Sequence, residues 1–187
     1  MSELQADLTG EIGYMSEADL SILRDTASLP RAGGLLNVGC YKGLSCSVLA
    51  TVGPTLDCVD TFEGVTELPT REFFEAWTAN MKACGVRERI RLFVGDSKAI
   101  LPRLMTESYR LVFVDGGHDL GTVYSDLREA KRLVSKGGCV IFDDVNIDKD
   151  GGHPVRVAAD FVFGIGGWTE APNTKLGVWF KPREWVA

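Results

Sequence analysis

Histidine is scarce in this 187-residue chain, which holds only His118 and His153. The five cysteines, Cys40, Cys46, Cys58, Cys84 and Cys139, are odd in number, and none pairs with another at C-x-x-C spacing. That argues against a disulfide framework or a thiolate zinc site, and small buried thiols in a reducing compartment are expected. Positive charge is in deficit, with 20 Lys and Arg against 26 Asp and Glu, a net charge of −6 and a pI of about 5.0. That is the wrong balance for gripping a nucleic-acid backbone. No apolar run approaches the roughly 18 residues of a membrane span, and the opening MSELQADLTGEIG lacks the basic-then-apolar order of a secretory signal. A cytoplasmic protein with neither nucleic acid nor membrane as partner is therefore expected. The dinucleotide fingerprint G-x-G-x-x-G is missing as well, which argues against a nicotinamide oxidoreductase.

What is present reads as one domain over 1–187, with an N-terminal helical segment (1–34), a core (35–145) and a terminal loop, helix and hairpin (146–187). Ser16 with Asp19 three residues later forms a near capping box, followed by Leu20, Leu23 and Ala27 at helical spacing up to Pro30. The runs LLNVG, TLDCVD, IRLFVGD, YRLVFVD and CVIFDD read as strands, each short, mostly apolar and without strict alternation. Helical patterns fall between them. LSCSVLATVG is one, TREFFEAWTANMKACG carries Phe73, Trp77, Met81 and Cys84 on one face, and SKAILPRLMTES breaks at Pro102. The helix after YRLVFVD turns Leu120, Val123, Tyr124, Leu127, Ala130 and Leu133 inward and ends on Lys136-Gly137-Gly138. PVRVAADFVF follows as a last helix, and GWTEA and KLGVWFK flank the turn Pro172-Asn173-Thr174. Continuous apolar strands alternating with helices predict an α/β fold: a mostly parallel seven-stranded sheet with helices on both faces and an antiparallel C-terminal hairpin. Trp168, Trp179 and Trp185 are expected to pack there.

Ligands in such a sheet bind beyond the carboxyl ends of the strands. Those ends fall on Gly39, Asp60, Asp96, Asp115 and the pair Asp143-Asp144. Carboxylates converging on one rim repel one another unless something positive sits among them. Gly39 and Gly43 allow a tight turn and a close backbone approach to a ligand. Asp60, about twenty residues on, is placed to accept both hydroxyls of a ribose.

LLNVGCYKGLSCSVLA, CVDTFEG, LFVGDS and LVFVDGGHDLGTVYSDLREAKRLVSKGGCVIFDDV occur in this order. Together they resemble a class I S-adenosylmethionine-dependent methyltransferase of Rossmann-like fold. More narrowly, they resemble the metal-dependent small-molecule O-methyltransferases that include catechol O-methyltransferase and the macrocin-type sugar methyltransferases. The resemblance implies S-adenosylmethionine as cosubstrate. Gly39 and Gly43 would border its methionine part, Asp60 would hold its ribose, and Asp96 and Ser97 would flank its adenine; Tyr41, Ser45, Thr61, Phe62 and Asp115 would also contact it, and Asp115 with His118 would form the catalytic centre. Glu63 would border the cofactor too. Asn37 stands where relatives often carry an acid; it can orient the cofactor's amino group but supplies no charge.

The resemblance also implies a magnesium ion on Asp115, Asp143 and Asp144, hard oxygen donors of the kind that cation takes. A divalent ion would lower the acceptor hydroxyl's pKa and hold it in line with the methyl group. His118 falls three residues after Asp115, where catechol O-methyltransferase has its catalytic lysine, and an imidazole suits proton removal near neutral pH. Capping of the next helix or contact with the cofactor is the competing reading of His118. His153 lies in the glycine-rich loop NIDKDGGHPV, read either as a lid or as a solvated connector. The expected function is O-methylation of a hydroxyl on a small molecule such as a sugar or glycoside, in a homodimer by family analogy. The alternatives are a metal-independent N- or O-methyltransferase and a non-catalytic S-adenosylmethionine-binding module.

Overall fold

The computed structural model describes residues 13–63, 70–146, 148 and 152–183. In chain order these form α1 (Glu17–Ser28), β1 (Gly34–Val38), α2 (Leu44–Val52), β2 (Leu56–Asp60), α3 (Thr70–Ala83) and β3 (Ile90–Val94). Then come α4 (Ser97–Ile100), β4 (Tyr109–Val114), α5 (Leu120–Leu133), β5 (Val134–Phe142), α6 (Pro154–Phe163), β6 (Thr169–Glu170) and β7 (Gly177–Phe180). The seven strands make one sheet in the order β3-β2-β1-β4-β5-β7-β6. Strands β1 to β5 pair in parallel, and β7 runs antiparallel to both β5 and β6. The expected parallel sheet with a reversed terminal hairpin is what forms.

Two apolar layers explain why the core strands are hydrophobic on both faces. Leu35, Phe113 and Ile141 turn to one face with Leu20, Leu23 and Trp77, from α1 and α3. Their neighbours Leu36, Val112 and Val140 turn to the other, with Leu127 and Ala130 of α5 and Ala159 of α6. Alternation along a strand therefore still operates, but both destinations are core. Phe73, Trp77 and Met81 of the aromatic stripe are buried as expected, while Cys84 is only half-buried. The capping box of α1 forms: Ser16 Oγ accepts from Asp19 N at 3.2 Å and Asp19 Oδ2 accepts from Ser16 N at 2.8 Å. Pro102 cuts α4 to one turn, after which Leu101–Arg103 continue as a 3-10 turn.

Two expectations around α5 need correction. The helix stops at Leu133, not at a glycine cap, because Val134 is already extended and pairs with Tyr109 of β4. Gly137 and Gly138 lie inside β5, where they exchange hydrogen bonds with Lys181. Moreover, Leu120 and Tyr124 are not turned inward, being 50% and 37% exposed. The buried stripe runs through Val123, Asp126, Leu127, Ala130 and Leu133, which leaves Tyr124 on its flank against Phe161, edge-on at 5.7 Å. Leu120 opens the helix, so its side chain, directed toward the N-terminus, overhangs the helix end. Trp168 and Trp179 pack as expected; Trp185 lies outside the described residues. Among the described residues no helix is long and apolar enough to cross a membrane.

Candidate active site

The parallel ladder continues past the strands themselves, and this gathers their ends. Gly39 N donates to Val59 O, Gly95 N to Asp60 O, Asp115 N to Val38 O and Asp143 N to Val114 O, at 2.8–3.0 Å. Each strand end is thereby pinned to its neighbour on one carboxyl-side rim. Gly39 sits at φ +86, and a Cβ there would lie 2.0 Å from the Asp115 carbonyl oxygen. Only glycine allows the two loops to cross so closely.

A cleft of about 460 Å³ opens along this rim, within the roughly 300–1,000 Å³ of small-molecule sites. Over β1 it is lined by Gly39, Tyr41 and Ser45, over β2 by Asp60, Thr61, Phe62 and Glu63, and over β3 by Asp96 and Ser97. Over β4 and β5 the lining is Asp115, His118, Asp143 and Asp144. Two expected cofactor residues are not among the lining. Gly43 starts α2 at φ +105, and a Cβ there would lie 2.4 Å from Met81 Cε, so it serves helix packing. Asn37 is fully buried in β1, where Nδ2 donates to Gly39 O at 2.8 Å and bonds Cys46 Sγ at 3.3 Å. His153 is exposed, directly before α6 and away from the cleft; Ile147 and residues 149–151 of its loop lie outside the described residues.

Asp60 is held rigidly. Its Oδ2 accepts from Cys40 N and, at 3.0 Å, from Tyr41 N, while Oδ1 accepts from Phe62 N at 2.6 Å. Burial pushes its carboxyl above the usual range despite these three donors. The carboxylate thus ties the β1 turn to the β2 end and faces the cleft. Farther along, Asp96 is exposed and caps α4 through Lys98 N at 2.9 Å, and Ser97 Oγ donates to Asp126 Oδ1 at 2.7 Å. Asp126, on α5, lines the cleft too and was not foreseen; burial raises its carboxyl to about 6. Periodicity singles out only the apolar positions of this helix, so an acid between them carries no signal of its own.

The opposite end carries a chain of charges. His118 Nε2 lies 2.7 Å from Asp144 Oδ2, and Lys175 Nζ lies 2.8 Å from Asp144 Oδ1 and 2.7 Å from Asp143 Oδ2. Lys175 is the positive group that the converging carboxylates require, and it too was missed. It comes from the turn before β7, the reversed strand that runs back beside the carboxyl end of β5. Register places it there: Gly177 pairs with Phe142, and Val145 N donates to Lys175 O at 3.0 Å. Its own N–H reaches Asp19 Oδ1 of the α1 cap at 3.3 Å.

The electrostatics follow from these contacts. Burial opposes the Lys175 charge, but the two carboxylates outweigh it and hold the ammonium well above its ordinary value. Burial pushes Asp143 up to about 6 in spite of Lys175. Burial alone would raise Asp144 as well, yet hydrogen bonds from His118 and Lys175 hold it at about 2. Asp115 is pushed well above the carboxylate range by burial and then by Asp143. The cap of α5 is Asp119, whose Oδ1 accepts from Thr122 N at 3.0 Å. His118 is therefore free of that duty. A Cβ on Gly117 would press Thr122 Cγ2 at 2.9 Å, and one on Gly116 would reach Asp126 Oδ2 at 3.3 Å. The glycine pair lets the loop lie against α5.

The trio Asp115, Asp143 and Asp144 does not fit a magnesium ion as these side chains stand. The donor atoms that gather within 4.8 Å of one another are those of Asp115, His118 and Asp144, and the gap between Asp143 and Asp144 holds an ammonium group.

Residues 36–145 match the family described as a methyltransferase domain. The chain belongs to that methyltransferase family. No curated protein gives a match, but solved structures do. A Corynebacterium glutamicum protein aligns over 100% of this chain and 91% of its own, with TM-score 0.76 and 19% identity. The O-methyltransferase TomG of Streptomyces achromogenes, involved in tomaymycin synthesis and solved with S-adenosylmethionine, aligns over 97% and 91%, with TM-score 0.71 and 19% identity. A Bacillus cereus O-methyltransferase, solved with S-adenosylhomocysteine, aligns over 94% and 86%, with TM-score 0.66 and 16% identity. The fold of this methyltransferase is thus that of the class I S-adenosylmethionine-dependent enzymes.

Proposed function

We propose that this methyltransferase moves a methyl group from S-adenosylmethionine to a hydroxyl of a small molecule, with His118 as the base. The observation that carries the proposal is the shared cleft: a nucleoside-type acid, Asp60, and an imidazole–carboxylate pair, His118 and Asp144, open into one space. The O-methyltransferase fold neighbours favour oxygen as the acceptor atom.

The donor set suits the cofactor. Asp60 is locked by three backbone N–H groups with its carboxylate toward the cleft, as ribose hydroxyls need. Val38, Val59 and Phe62 offer apolar contact beside it, and Ser97 with Asp126 offers polar contact for an adenine edge. When bound, S-adenosylmethionine supplies an electrophilic methyl on a sulfonium sulfur.

The remaining work falls to the chain. Asp144 engages His118 at Nε2 and fixes the ring, leaving Nδ1 to take the acceptor's proton as the acceptor oxygen bonds the methyl carbon and the carbon–sulfur bond breaks, its electron pair leaving on the sulfur of S-adenosylhomocysteine. The resulting imidazolium stays paired with Asp144, a carboxylate already kept ionised. Gly116 and Gly117 line the cleft beside His118 and let its loop lie against α5. No step is assigned to a metal ion.

Replacement of His118 by Ala tests the assignment. Methyl transfer from labelled S-adenosylmethionine to a panel of hydroxylated small molecules should fall about 10²–10⁴-fold, while S-adenosylhomocysteine affinity is kept. Undiminished transfer would remove His118 from the chemistry.

A further inference from the structure

We infer that Lys175 is a built-in replacement for the divalent cation, so that the transfer centre excludes metal and works on an internal ammonium ion. This rests on the methyl-transfer reading above and deepens it. All four oxygens of the Asp143–Asp144 pair are already committed. Asp143 Oδ1 accepts from Asp144 N at 2.8 Å, and Asp143 Oδ2 faces Lys175 Nζ at 2.7 Å. Asp144 Oδ1 faces the same ammonium at 2.8 Å, and Asp144 Oδ2 faces His118 Nε2 at 2.7 Å. A magnesium ion binds carboxylate oxygen at about 2.0–2.1 Å in a demanding octahedron. Here it would have to expel a like-charged ammonium from between its own ligands.

Nor is Lys175 a loose surface residue that happens to swing in. Its backbone is fastened on both sides, its N–H to Asp19 Oδ1 at 3.3 Å and its carbonyl to Val145 N at 3.0 Å. Asp143 is buried, and the lysine side chain is only 26% exposed. Lysine suits the task because its ammonium is a compact point charge with three donors, able to serve two carboxylates at once. Through Asp144 it positions His118, so Lys175 is a positioning residue and not a catalytic one. It neutralises the rim, keeps Asp144 in place for the imidazole, and fills the gap between Asp143 and Asp144 that a cation bridging them would need.

Manganese ion, read by its electron paramagnetic resonance signal, is the probe, and S-adenosylhomocysteine calorimetry on the same samples checks the cofactor reading separately. Wild-type protein should bind S-adenosylhomocysteine and show no stoichiometric Mn²⁺ site, with the nucleoside present or absent. Lys175→Met should open such a site and bind Mn²⁺ at least about tenfold more tightly than wild type. Lys175→Arg, which restores the positive charge, should close it again. A purely structural lysine would leave metal affinity unmoved. One equivalent of Mn²⁺ on wild-type protein, lost in Asp144→Asn, would overturn the inference, and so would a Lys175→Met protein that binds nucleoside but no Mn²⁺. Loss of nucleoside binding in wild type would instead strike the methyl-transfer reading. If Lys175→Met does not fold, the wild-type and Asp144→Asn titrations still decide.

Discussion

Replacing Asp126 with Asn should stabilise the protein at alkaline pH and leave it unchanged in acid. Asp126 is 1% exposed, and among the described residues its carboxylate accepts one hydrogen bond, from Ser97 Oγ at 2.7 Å. Burial raises its carboxyl from about 3.8 to about 6. A carboxyl whose folded pKa lies above its unfolded value favours folding while protonated. That advantage is complete below the unfolded pKa and is lost as pH rises through the folded one. A shift of roughly two units at about 1.4 kcal/mol each sets a ceiling of about 3 kcal/mol on what ionisation costs by pH 8. The cleft is open to water and Lys98 lies near, so a gain of about 1–2 kcal/mol for the Asn variant is expected at pH 8. Urea unfolding followed by tryptophan fluorescence, with buried Trp77 as reporter, would measure both proteins from pH 3.5 to 8. Because Asp60, Asp115 and Asp143 titrate in both, the difference between the two curves isolates Asp126. It should be near zero at pH 3.5 and grow between about pH 4 and 7. A variant that is less stable at pH 8, or a flat difference, would refute the reasoning.

Two further outcomes follow from the packing. Gly39→Ala should cost more than about 3 kcal/mol, since a positive φ is combined with a Cβ 2.0 Å from the Asp115 carbonyl oxygen; a variant within 1 kcal/mol of wild type by urea midpoint would contradict the crossing. Tyr109→Phe removes the hydroxyl that donates to buried Asp57 Oδ2 at 2.6 Å, while Arg91 Nε still bonds Oδ1 at 2.9 Å. The loss should be about 1 kcal/mol, and thermal unfolding should show a drop of about 2–4 °C for a chain of this size.

The sheet and its acids were legible because their signals are local. A five-residue apolar run ending in aspartate announces both a buried parallel strand and where its carboxyl end lies, and the capping box of α1 follows from Ser16 and Asp19 alone. Lys175 was not legible in that way. It reaches the site only because β7 runs backwards beside β5, so its relevance lies in a strand register 31 residues away from Asp144. Asp126 was hidden for a related reason, an acid at a core-facing helical position that means nothing until the helix is docked. The Lys136-Gly137-Gly138 segment misled because glycine after a helical pattern usually ends it; here β4 and the chain after β7 capture the backbone first, and the glycines serve the strand. Asn37 was expected at the cofactor on its place in the motif; the structure buries it behind the cleft lining, with Nδ2 on Gly39 O and the Cys46 thiol and Oδ1 without a hydrogen-bond partner among the described residues.

The central claim is that Asp60 reads a nucleoside at the rim where His118, Asp144 and Lys175 meet. Calorimetric titration of S-adenosylhomocysteine into wild-type and Asp60→Ala protein tests it most directly. Wild type should bind one equivalent per chain, and the variant, provided it remains folded by circular dichroism, should lose at least about tenfold in affinity, or about 1.4 kcal/mol. Equal affinity in the two proteins, or no binding by wild type, would contradict the account.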